Sequence, residues 1–201
     1  MKIKSEKTSG RKLYSIGESY IISYRGFITI RKLSHAKKND LIDQQFIERI
    51  MLAVTEVNGC PVCSYAHTKM ALESGMTIEE IESMLAGTQG NLPPDEIPAI
   101  MFAQHYAEYR GCPSQESWDR VVEIYGEPKA LGILGAIRII MIGNAYGVPW
   151  SSFFNRFKGK PDSRSNLLYE IGMIITSIVF IPLALIHSLL ARLFRLPIIN
   201  F

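Results

Sequence analysis

The 201-residue sequence predicts an all-α helical bundle that ends in an apolar C-terminal helix. Three observations carry that expectation. From Asp43 onward, apolar residues recur at three- and four-residue steps, the period of a helix with one buried face. Helix-start and helix-stop residues punctuate those runs. No alternation of apolar and polar residues persists beyond the N-terminal region, which leaves helix packing as the architecture.

Taken in order, residues 1–40 form a basic, mixed N-terminal extension, with apolar runs at 20–24 and 27–30 and a polar connector at 33–40. Phe46, Ile47, Ile50, Met51 and Val54 then make one helical stripe, which Asn58-Gly59 stops and turns. Pro61 suits the first turn of the next helix, where a missing N–H costs nothing. That helix runs to about Ser74, with Gly75 as its stop. Thr77 followed three residues later by Glu80 is a capping box and opens a short helix to Leu85. Residues 91–94 read as a loop. Residues 98–109 are helical, with Ile100, Phe102, Ala103, Tyr106 and Ala107 facing inward. Residues 115–125 form another helix closed by Gly126, and the apolar run 129–141 ends at Gly143-Asn144. Residues 41–160 therefore make the helical domain. Residues 161–201 hold the end of a basic linker (Arg156, Lys158, Lys160 and Arg164 punctuate 155–165) and the apolar helix.

Length and charge bound the function. The chain is long enough for one domain with a full core and an appendage. A formal charge of +3 argues against a nucleic-acid partner. Residues 1–10 carry three lysines and no apolar run, which speaks against a cleaved secretory signal. Three cysteines, two of them in one CxxC, fit an intracellular protein with one active dithiol better than a disulfide framework. Cys112, before Pro113, reads as a bystander in a loop.

The chemistry gathers at Cys60-Pro61-Val62-Cys63 with His67 four residues on. A thiolate, not a thiol, attacks a peroxide or a disulfide, so such a site has to favour ionisation. With Cys60 near the N-cap, Cys63 falls in the first helical turn, where free amides and the macrodipole favour negative charge. His67, at i+4 from Cys63, shares its helix face and can take the thiol proton. A carboxylate from the preceding helix, Glu48 or Glu56, can orient the imidazole. Cys63 is assigned as the attacking thiol and Cys60 as its resolving partner, with the opposite order also open. Peroxide would oxidise one cysteine to a sulfenic acid that the other converts to a disulfide. Neither metal nor organic cofactor is needed, but an external thiol or dithiol reductant protein is. Two other readings stand beside this one: a thiol–disulfide exchanger without peroxidase activity, and a non-catalytic zinc-binding or membrane-assembly protein. For zinc, Cys60, Cys63 and His67 offer three ligands, and Glu48 or His105 would have to arrive through the fold.

These residues resemble the carboxymuconolactone decarboxylase superfamily, and within it the alkyl hydroperoxidase D-like branch. The resemblance spans residues 46–157 and rests on Glu48-x11-Cys60-x2-Cys63-x3-His67, with 71–81, 99–108 and 142–144 also similar. It implies an all-helical homo-oligomer that reduces hydroperoxides with its dithiol. It further implies a relay in which the glutamate twelve residues before the first cysteine supports the histidine, so Glu48 is preferred over Glu56. Val62 departs from the pattern, because the best-known members carry a second histidine there; their relay and their rate are not carried over with the rest. Lactone decarboxylases of the superfamily lack the dithiol, so that activity is disfavoured.

Other residues have plainer readings. His105 and Glu108 sit at helical spacing and either line a pocket or face solvent. Trp118 and Trp150 read as core or interface, and His35 and His187 are isolated. Residues 171–191 contain no Asp, Glu, Lys or Arg and reach the ~20 residues that cross a bilayer as a helix. The greater positive charge upstream would keep the catalytic domain cytoplasmic, at the inner face of the membrane. The competing reading is an apolar helix buried between subunits.

Overall fold

A computed structural model describes residues 12–86, 92–199 and 201. Residues 1–10, on which the reading against a signal rests, and Asn91 of the predicted 91–94 loop lie outside them. The described residues form α-helices and no strands: α1 (Ile16–Lys38), α2 (Gln44–Asn58), α3 (Pro61–Glu73), α4 (Ile78–Leu85), α5 (Ile97–Glu108), α6 (Gln115–Arg156) and α7 (Leu167–Leu193). The fold is all-α, with the apolar C-terminal helix in place.

Local sequence explains most of the boundaries. Ser15 and Glu18 form a capping box that starts α1, Asp43 caps α2 through the Phe46 amide, and Thr77 with Glu80 boxes α4. Two stretches differ from the expectation. The runs at 20–24 and 27–30 and the connector after them are one continuous helix, α1, which packs along α6. Glycines set that approach. A Cβ on Gly26 would overlap Ile142, one on Gly132 would overlap Ala36, and one on Gly135 would lie 2.9 Å from the Leu33 Cβ. The second stretch is α6, which does not end at Gly143-Asn144 but continues to Arg156. Asn144 is buried there, accepting from the Asn58 amide (2.9 Å) and donating to the Thr55 hydroxyl (3.2 Å). Tertiary packing of this kind overrides a local stop signal. Gly126, by contrast, does break α6, at φ 73°.

The core lies between α2, α5 and α6, where Ile50, Leu52, Ile100, Ile133, Leu134 and Ile137 are essentially inaccessible. Buried Arg49 of α2 binds Glu96 (2.9 Å) and Glu80 (3.0 Å), which ties α4 and the start of α5 to α2. Burial pushes the Glu96 carboxyl up, against the pull of Arg49. After α6 the chain folds back through 157–166. Glu170, fully buried, accepts from Arg156 (2.7 Å), Ser152 (2.6 Å) and Ser165. Those bonds, Arg156's foremost, hold its carboxyl near 2 and fix the start of α7.

Candidate active site at the start of α3

Gly59 ends α2 in the left-handed conformation (φ 61°), where a side chain would be strained, and so aims the chain directly into α3. Cys60 is the N-cap, Pro61 the first helical residue, and the Cys63 amide donates to the Cys60 sulfur at 3.4 Å. The dithiol thus sits at the helix N-terminus, with one first-turn amide directed at the Cys60 sulfur. Cys60 and Cys63 are joined as a disulfide, with their Cα atoms 5.3 Å apart. Both cysteine residues are buried, Cys60 1% and Cys63 7% exposed.

One turn along α3, the His67 Nδ1 lies 2.8 Å from the Glu48 carboxylate. Glu48 is wholly buried on α2, and its other oxygen accepts from the Gln44 amide at 2.6 Å. The Lys37 ammonium in turn donates to the Gln44 carbonyl oxygen, also at 2.6 Å. A polar chain therefore runs from the end of α1 through α2 to the imidazole. With Nδ1 committed to Glu48, Nε2 is the ring nitrogen left for proton transfer. The structure brings Glu48 to His67. Glu56 lines a cavity of ≈ 270 Å³ beside the α2–α3 turn, with Asn58, Glu108, Arg110 and Val148 among its other walls.

Three contributors carried no recognised signal in the sequence. Gln44 is one. Gly147 of α6 is the second: a Cβ there would sit 2.9 Å from the Cys60 sulfur and 3.0 Å from that of Cys63. The α6 backbone therefore closes one side of the disulfide. Arg164, from the predicted linker, is the third. Its guanidinium donates to the Asn58 carbonyl (3.2 Å) and the Gly59 carbonyl (2.8 Å), which clamps the turn before Cys60. Asp162 holds that guanidinium at 2.7 Å; burial opposes its ionisation, but the hydrogen bonds from Arg164 win and keep the carboxyl below its usual range.

The remaining singled-out residues fall elsewhere. Glu108 lines the cavity, whereas the His105 ring packs on Tyr109 with centroids 4.3 Å apart. Trp118 is core, and Trp150 donates to Ser177 across the α6–α7 contact (3.3 Å). His187 is not isolated but bonds the Tyr20 hydroxyl at 3.0 Å, and Cys112 is free and exposed. Zinc gains no support from the geometry. Both sulfurs are bonded to each other, Nδ1 is taken by Glu48, and among the described residues no three His, Cys, Asp or Glu side chains are grouped to hold a metal.

An all-helical body with a disulfide at a helix N-terminus and a histidine–carboxylate pair beside it defines a chain compatible with redox activity. The family model of the carboxymuconolactone decarboxylase family matches residues 24–108, from within α1 to the end of α5. That span includes Glu48, Cys60, Cys63 and His67, and the match supports the superfamily. No curated protein and no solved structure matches the chain.

Proposed function

We propose that this chain is a thiol-dependent peroxidase of the alkyl hydroperoxidase D-like kind, which reduces hydroperoxides through a Cys60/Cys63 dithiol–disulfide cycle. The observation that carries the reading is a CxxC pair at the first turn of α3, one turn from an imidazole whose Nδ1 is held by a buried carboxylate.

In the reduced protein the Cys63 thiol gives its proton to His67 Nε2, and Glu48 stabilises the imidazolium. The thiolate attacks one peroxide oxygen. A sulfur–oxygen bond forms, the O–O bond breaks, and the departing alkoxide takes the proton from His67 and leaves as an alcohol. The Cys60 thiol then displaces the hydroxyl of the Cys63 sulfenic acid, making the disulfide and releasing water. An external dithiol protein reduces that disulfide by exchange and is itself oxidised. Both cysteine residues are largely buried, a limit that applies equally to a protein disulfide and to the reducing dithiol protein. Val62 and Tyr65, 45% and 75% exposed beside the dithiol, offer the reductant or a second subunit of a homo-oligomer a surface to meet. The need for a reducing partner supports a cytoplasmic catalytic domain.

The test is peroxide consumption coupled to a competent dithiol reductant. Cys63→Ser is expected to abolish turnover; full consumption by that variant would overturn the assignment.

A further inference from the structure

We propose that the outward face of α7 is a seat for a lipid bilayer surface, with the helix lying along the membrane rather than crossing it. Among the described residues two helices, α6 and α7, are long and apolar enough to span a bilayer, but they are used differently. The most apolar stretch of α6 is 78% buried inside the molecule, whereas that of α7 is only 22% buried.

The packing of α7 is inverted for a helix in water. Beyond Met173, the residues that face the body are small or polar, Ser177, Ala184, Ser188 and Ala191, while Ile175, Ile178, Leu183, Ile186, Leu189 and Leu193 face outward. Small residues inside and large aliphatic ones outside is the arrangement helices take against lipid. A protein partner would need a polar rim and hydrogen-bonding groups. Residues 171–191 present no charged group, and the one imidazole, His187, is already bonded to Tyr20. Basic residues stand at both ends instead: Lys158 and Lys160 before the helix, Arg195 after it. Phe157 and Phe194, 79% and 71% exposed, sit beside them. Cations and aromatic rings flanking an aliphatic face fit anionic headgroups above acyl chains.

The in-plane orientation follows from what α7 lies against. Ile16 meets Gly172, Tyr20 meets Phe180, and the Arg192 guanidinium donates to the Phe27 carbonyl, so α1 runs beside α7 in the same direction. The other side of α1 holds the polar segment after α5. Glu18 binds Arg110 (2.7 Å), and Arg25 donates to the Gly111 carbonyl (2.6 Å) beside exposed Cys112. Crossing the bilayer would take those groups into hydrocarbon, whereas lying on it leaves them in water. This inference does not depend on the redox reading.

The test is flotation of the full-length chain with phosphatidylcholine vesicles, with and without phosphatidylglycerol. Binding is expected, stronger with phosphatidylglycerol and weakened by salt. The double variant Ile175→Asp/Ile186→Asp, with an unchanged far-UV spectrum, is expected to lose about tenfold or more in partitioning. Ser163→Cys and Pro197→Cys, exposed positions just outside the two ends of α7, each combined with Cys112→Ser under oxidising conditions, then report orientation. An impermeant maleimide added outside is expected to label both equally. Labelling of only one end would show a span and overturn the in-plane seat. A folded double variant that still binds like the wild type, or a wild-type dimer that ignores vesicles, would overturn the lipid surface itself.

Discussion

At His67 the imidazole has a defined direction because Nδ1 is held by Glu48, and Glu48 is held by Gln44. Removing the charge of the middle member leaves the ring without its orienting partner. Glu48→Gln is therefore expected to lower the rate of peroxide reduction by about 10²–10⁴-fold, the range typical of general acid–base groups, with the fold intact by circular dichroism. His67→Gln should fall in the same range. Gly147 makes a different expectation. An added methyl meets both sulfurs at about van der Waals overlap, so Gly147→Ala should destabilise the oxidised protein by ~1–3 kcal/mol in chemical denaturation. Unchanged stability in the oxidised form would show that α6 does not press on the disulfide. The four residues Glu48, Cys60, Cys63 and His67 were legible in the sequence because their chemistry and spacing are local to one helical hairpin. Gln44, Gly147 and Arg164 were not. A glutamine at i−4 from a glutamate is ordinary on a helix, and Arg164 reaches a carbonyl 106 residues away in the sequence.

Among the elements, α3 buries only Cys63 in its first turn and Ala71 near its end, so the position of the dithiol depends on what pins the α2–α3 turn. The Gly59 conformation and the Arg164 clamp do so, and the clamp couples the dithiol to the segment that leads into α7. The attachment of α7 has its own pH signature. Glu170 is held near 2, below its ordinary value of 4.5, chiefly by the hydrogen bonds from Arg156. A depressed carboxyl contributes stability that is complete above about 4.5 and lost as pH falls through 2. Thermal melts of the wild type and Glu170→Gln should thus differ most near neutral pH and converge in acid; a constant difference would contradict the pairing. Glu18, held near 2 by Arg110, adds a parallel acid sensitivity at the start of α1. Helices α2 to α5 followed their local signals closely. Helices α1 and α6 did not: Gly26, Gly132 and Gly135 inside them serve as places where the two helices touch, and buried Asn144 carries α6 past Gly143.

Over the whole molecule, the disulfide and the outward apolar face of α7 are parts of one chain. The region matched by the family, residues 24–108, supplies the dithiol, its histidine and its carboxylate. The residues after it close the site with Gly147 and Arg164 and then present α7 outward. The sequence exposed the apolar run 171–191 plainly, but not which side of it would face the body, since that depends on where Ser177, Ala184 and Ser188 fall in the turn of the helix.

The most direct measurement is the mass of the peptide holding Cys60 and Cys63 after the reduced protein meets one equivalent of hydroperoxide. Loss of a pair of hydrogens, matched by release of the corresponding alcohol, is the expected result. An unchanged mass, with the peroxide still present, would contradict the catalytic assignment.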